Sequence, residues 1–128
     1  MNASTEWIPL RIADAGRMAA AGLVADGEKN AREAIRRLLR PDSHQRCAYA
    51  GYTADDASPK CVVLVTMIDP DARRGMLRWI DRTEMEPKVV ASFLLDLAGT
   101  AFFQIGLHRL EMPIPVGDET LSEAASGI

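Results

Sequence analysis

The chain has 128 residues, 48% of them hydrophobic and 26% charged, with a formal net charge of −3. That is enough for a single domain over residues 1–128 with one hydrophobic core, and short for an enzyme with a deep cleft. A mildly acidic chain has no general attraction for nucleic acid or an anionic membrane, and no stretch reads as the ~20 apolar residues of a membrane span.

The start, Met1-Asn2-Ala3-Ser4-Thr5-Glu6, lacks the basic residues and apolar run of a signal peptide. Cys47 and Cys61 have no metal-ligand spacing and do not form a disulfide framework, so no metal site and a reduced, cytoplasmic setting are expected. The basic run Arg36, Arg37 and Arg40 reads as the solvated face of a helix.

In chain order, Trp7–Ile12 reads as a short strand, and Pro9 marks it as an edge or a strand start. Residues 14–25 and 28–39 read as two helices parted by Gly27, with Asp14 as N-cap of the first. The second carries Ala31, Ile35, Leu38 and Leu39 on one face, and Pro41-Asp42-Ser43 ends it. Arg46–Thr53 and Lys60–Ile68 read as strands joined by the turn-rich 54–59 segment. Cys61-Val62-Val63-Leu64-Val65 is continuously apolar, the mark of a strand buried on both faces.

Asp69-Pro70-Asp71 turns the chain into a fourth strand, Gly75–Asp81. A long helix follows, with Pro87 at its first position, Glu86 beside its positive end, and Val90, Phe93, Leu94, Leu97 and Ala101 as its buried stripe. Gly106 ends it. Leu107–Val116 reads as a fifth strand and Glu119–Ala125 as a last helix. The order β-α-α-β-β-β-α-β-α predicts an α+β fold with a mixed sheet of about five strands: an antiparallel meander followed by a parallel crossover.

Two segments give this order a more particular meaning. Trp79-Ile80-Asp81 closes the fourth strand, and Gly106-Leu107-His108-Arg109-Leu110-Glu111 opens the fifth. Together with their spacing, they resemble the GNAT acetyltransferase superfamily, in particular its ribosomal-protein and small-molecule branch. The resemblance covers roughly residues 60–128. It implies a sheet that binds acetyl-CoA, with the pyrophosphate on backbone N–H groups at the start of the long helix and the thioester along strand four. Two further strands would follow the last helix.

The sequence departs from that pattern at the clasp. The family's Gln/Arg-x-x-Gly-x-Gly/Ala falls on Met85-Glu86-Pro87-Lys88-Val89-Val90, which has no glycine. Pro87 removes a donor, Val90 adds bulk and Glu86 adds a negative charge, while Lys88 alone favours an anion. Losing several charge-assisted bonds, at about 3 kcal/mol, predicts a fall in CoA affinity of roughly two orders of magnitude. No cofactor is therefore expected, with acetyl-CoA or a carrier-bound thioester as the disfavoured alternative.

The chain ends at Ser126-Gly127-Ile128, so strand five is expected at the sheet edge, with Pro113 and Pro115 blunting it by deleting donors on one side.

The candidate catalytic residues are Asp81 and Glu84, as carboxylates that could deprotonate an amine or bind a cation, and His108 as a base. Each has a plainer role open to it: Asp81 capping a turn, His108 packing at a strand start. Trp79 and Ile80, with Lys88, are the candidate cofactor contacts if a thioester binds. His44 reads as solvated and Cys61 as buried and inert. Leu95, Phe102 and Phe103 fall off the long helix's buried stripe, which predicts a homodimer.

Three functions stay open: a binding or assembly subunit that has lost conventional acetyl-CoA binding, a shortened acyltransferase, and a repurposed small-molecule biosynthetic enzyme using the strand-four cleft.

Overall fold

The computed structural model describes residues 4–40 and 46–126. Its strands are β1 (Thr5–Pro9), β2 (Arg46–Thr53), β3 (Pro59–Asp69), β4 (Arg74–Arg82) and β5 (Arg109–Glu111). They form one sheet in the order β1-β2-β3-β4-β5. Pairing is antiparallel from β1 to β4 and parallel between β4 and β5, so the mixed α+β sheet expected from the element order is present. The helices are α1 (Ala15–Ala20), α2 (Glu28–Leu39), α3 (Pro87–Gly99) and α4 (Glu119–Ser126).

Strand alternation sorts the core into two layers. Ala48, Ala50 and Tyr52 of β2 and Val62 and Leu64 of β3 pack with Met18, Leu23, Ala31 and Ile35 from α1, α2 and the segment joining them. Val63, Val65 and Leu77 point to the other face, against Val90, Leu94 and Leu97 of α3 and Leu121 and Ala124 of α4. Cys61 to Val65 is buried without a break, as a strand covered on both faces must be. The helix stripe of Val90, Phe93, Leu94, Leu97 and Ala101 is buried as its spacing predicts.

Several boundaries differ from expectation. β1 starts two residues earlier and ends at Pro9; it is an edge strand, where a missing N–H is tolerated. The first helix is shorter, a 3-10 turn at Ile12–Asp14 running into α1, and Gly22 at φ 74° follows its end. Asp14 does not act as its N-cap. Its carboxylate turns back to accept the Arg11 backbone N–H at 3.0 Å and pairs with the Arg11 guanidinium at 3.1 Å.

The largest correction concerns the fifth strand, which has three residues rather than ten. Pro113 and Pro115 lie beyond it, in the segment that leads to α4, and so they blunt no strand edge. The β4 and β5 backbones pair only from Arg74–Arg109 to Met76–Glu111 and then part.

The long helix also changes winding, from α to π over Thr100–Ile105, before Gly106 at φ 82° ends it and the Leu107 N–H closes back on the Ala101 carbonyl at 2.9 Å. By length and composition, Pro87–Ile105 is long and apolar enough to cross a membrane, contrary to the expectation that no such stretch exists, although its inner stripe is spent on the sheet. The expected helix stop at Pro41-Asp42-Ser43, His44, Gly127 and Ile128 lie outside the described residues.

Candidate functional site

Where β4 and β5 part, a cleft of about 420 Å³ opens. One wall is β4 from Arg78 to Arg82; the other is Pro113, Ile114, Pro115, Asp118 and Leu121. The two walls are tied together by one residue. Asp118 accepts the Leu121 N–H at 3.0 Å, capping the start of α4, and binds the Arg82 guanidinium at 2.5 Å. The 112–118 segment is thus held to β4 through side chains across a gap, where a sheet ladder would have closed it. The Arg82 guanidinium keeps the Asp118 carboxyl below the usual carboxylate range. A cavity of this size, lined by apolar side chains and by the charged groups of Arg78, Asp81, Arg82 and Asp118, can take a small polar ligand.

Trp79, Ile80 and Asp81 all line the cleft. Trp79 donates its indole N–H to the Met112 sulfur at 3.2 Å and meets Trp7 edge-on at 6.1 Å, while Ile80 packs on the α1/α2 layer. Both Asp81 oxygens accept backbone N–H groups, Oδ2 from Val24 at 2.9 Å and Oδ1 from Arg82 at 2.8 Å. Asp81 therefore holds the α1–α2 connection against the end of β4, the turn-capping role that was open to it, with lone pairs still available to the cleft.

The other candidates lie elsewhere. Glu84 is exposed and lines a second cavity, of about 450 Å³, with Met85, Glu86, Val89, Asp55 and Lys60. Lys88 is exposed and pairs with Glu86 at 3.6 Å. His108 is exposed at the opposite end of β4: its neighbour Arg109 pairs with Arg74, seven residues from Asp81, or roughly 23 Å along a strand. The structure brings Trp79, Ile80 and Asp81 together and leaves Glu84, Lys88 and His108 apart from them.

Arg82 and Asp118 were not among the sequence candidates. Asp118 carried one signal, an acid directly before a helix, that could have marked it as a cap.

The start of α3 offers fewer free donors than an ordinary helix start. Pro87 has no N–H, and Val89 and Val90 both donate to the Glu86 carbonyl, at 3.0 and 3.2 Å. The side chains around this end include the carboxylates Asp55, Glu84 and Glu86. Cys61 is inert here as well: burial pushes its thiol far up, out of the range where a thiolate forms. Among the described residues, no three His, Cys, Asp or Glu side chains are placed to hold a metal ion.

No family profile and no curated protein matches the sequence. Solved structures do match. The chain superposes on apo FdhC, a nucleotide-linked sugar GNAT, with a TM-score of 0.72 and 14% identity over 99% of this chain and 79% of that one. A putative acetyltransferase from T. thermophilus gives a TM-score of 0.70 and 14% identity, covering 99% of this chain and 74% of the other. A mutant of the spermidine N-acetyltransferase SpeG from Vibrio cholerae gives 0.69 and 10% identity over 97% and 77%. At these identities the likeness establishes architecture: the chain has the GNAT fold.

Proposed function

We propose that this GNAT-fold chain holds a small ligand in the β4 cleft without the pyrophosphate contacts by which coenzyme A is held in the family it resembles, and that it acts as a binding or assembly subunit. The observation that carries this reading is the start of α3. A helix N-terminus binds phosphate through free N–H groups and a favourable dipole. Here Pro87 supplies no donor, Val89 turns its own to Glu86, and the Glu86 carboxylate lies 3.6 Å from the Lys88 ammonium. Asp55 and Glu84 add further negative charge around that end. The cleft, by contrast, stays open, with Trp79, Ile80 and Asp81 on its wall.

A second reading is favoured by the parting of the strands. Past Met76, β4 has no pairing with β5, so its backbone is available to an extended amide chain such as pantetheine. A short or carrier-bound thioester could then react with a small amine near Asp81, as in a shortened acyltransferase or a biosynthetic enzyme built on the same cleft.

Calorimetric titration with acetyl-CoA and with acetyl-pantetheine distinguishes these possibilities. The expected result is acetyl-CoA binding weaker than about 100 µM and no tighter than acetyl-pantetheine. Tighter acetyl-CoA binding, with at least roughly a tenfold advantage over acetyl-pantetheine, would overturn the proposal. Acyl transfer from acetyl-pantetheine to an amine would establish the second reading, and transfer unchanged in Asp81→Asn and Glu84→Gln would remove both carboxylates from it.

A further inference from the structure

Arg78 and Asp81 share one face of the sheet, although residues three apart on a regular strand point to opposite faces. β4 is not regular here. Val63 of β3 stands opposite Trp79 and Val62 opposite Asp81, so Ile80 is an extra residue without a cross-strand partner, a β-bulge. Arg78 stands opposite Leu64. Val62 and Leu64 both point into the α1/α2 layer, so Asp81 and Arg78 lie on that side as well. Their partners on β3 are two residues apart, which puts the two positions roughly 7 Å from each other along the sheet.

Both residues line the β4 cleft, and they are the two of its four charged side chains with no ion-pair partner among the described residues; Arg82 and Asp118 are paired with each other. Arg78 makes no hydrogen bond or ion pair among the described residues and does not close onto Asp81. Each Asp81 oxygen accepts one backbone N–H, from Val24 or Arg82, and a carboxylate has about four acceptor sites. The cleft therefore offers one free cation and one anion with spare capacity on the same face. The remaining walls, Trp79, Ile80, Pro113, Ile114, Pro115 and Leu121, are apolar side chains.

We infer that the cleft takes an α-amino acid with an apolar side chain, its carboxylate on the Arg78 guanidinium and its ammonium on the Asp81 carboxylate. The guanidinium fork matches a carboxylate, and ionised Asp81 can only accept hydrogen bonds, as an ammonium requires. A simple anion would gain Arg78 but face Asp81 and Asp118, and a simple cation would gain Asp81 but face Arg78 and Arg82. A zwitterion meets both signs and adds no net charge to the cleft, while its side chain covers apolar wall. The inference rests on the reading that the β4 cleft holds a small ligand, and it names the class of that ligand.

Three probes of one shape test it on the full chain: L-phenylalanine, phenethylamine, which lacks the carboxylate, and 3-phenylpropanoate, which lacks the amine. Trp79 lines the cleft, so binding is read from tryptophan fluorescence, with acetyl-pantetheine titrated alongside. L-phenylalanine is expected to bind at least roughly tenfold tighter than either of the others. In Arg78→Met its advantage over phenethylamine should disappear, with circular dichroism and thermal midpoint close to wild type because Arg78 is exposed and unpaired among the described residues. Equal binding of L-phenylalanine and phenethylamine overturns the inference, as does an advantage that survives Arg78→Met; in both cases the cleft still holds a small ligand. Binding of acetyl-pantetheine alone overturns only the inference. No binding by any of the four at millimolar concentration overturns the reading of the cleft with it.

Discussion

The Asp81 carboxylate accepts the backbone N–H of Val24 at 2.9 Å, a residue 57 positions earlier in the chain. Val24 has φ 75°, the left-handed region that a β-branched side chain disfavours. The bond therefore stabilises a strained connection between α1 and α2 and fixes it beside the cleft that Asp81 lines. Asp81→Ala leaves a partly buried N–H without its partner and is expected to destabilise the fold by about 1–3 kcal/mol in urea denaturation. Val24→Gly made on that background should recover part of the loss, because glycine adopts positive φ freely. An Asp81→Ala protein as stable as wild type would remove the positioning role.

The pairing of Arg82 with Asp118 gives acid sensitivity a direction. The folded carboxyl lies below its ordinary value because of the guanidinium. A depressed folded pKa contributes stability that is fully present above the unfolded carboxylate value of about 3.9 and is lost as pH falls through the folded one. Asp118→Asn is therefore expected to be less stable than wild type at neutral pH, with the difference shrinking on acidification below about pH 4. Denaturation midpoints measured across that range check this. A constant difference would mean that the ion pair is not its source.

Gly51 is required for steric reasons. A Cβ there would lie 2.6 Å from Cys61 Sγ, 2.8 Å from Phe93 Cε1 and 3.0 Å from Trp7 Cζ3, all packed side chains of the α3 layer. Gly51→Ala is expected to cost about 1–3 kcal/mol by overpacking. Gly99→Ala, with open space around it, should be neutral or stabilising by up to about 1 kcal/mol in the monomer. Thermal melts of the two variants make the comparison directly.

The two cysteines should react differently with a thiol reagent. Cys61 is fully buried and its thiol is pushed up by desolvation, whereas Cys47 is only partly buried. In the native protein, labelling of Cys47 is expected to precede that of Cys61, and Cys61 should label at the rate of unfolding. Equal native rates would mean that β3 opens locally.

Phe93 is fully buried, with its backbone carbonyl accepting the Trp7 indole N–H at 2.9 Å and its ring 5.1 Å from that of Trp7. Phe93→Ala is expected to destabilise the protein by about 3–5 kcal/mol by leaving a cavity between α3 and the sheet. A loss below about 1 kcal/mol would show that the layer collapses to fill it.

What the sequence determined by itself was the part of the fold written in local pattern. The period-2 and continuously apolar runs gave β2, β3 and β4; the helical spacing of Val90, Phe93, Leu94, Leu97 and Ala101 gave the inner face of α3; Gly106 gave its end. Those signals depend on which face of one element meets a core, and that is a property of neighbours in the chain.

The tertiary structure decided everything that depends on groups far apart in sequence. Leu107–Val116 carries apolar residues at strand spacing, yet only Arg109–Glu111 pairs with β4, and the 112–118 segment is tied back to β4 through side chains, Arg82 to Asp118 and Trp79 to Met112. Asp81 was legible as a carboxylate at a strand end, but its partner at Val24 was not. His108, close to Asp81 and Trp79 in motif terms, was set apart by the direction of the strands, and Glu84 by the chain past β4, which carries it to the second cavity. The cleft at β4 exists because two strands stop pairing, and the ion pair that ties its two walls together joins residues 36 positions apart.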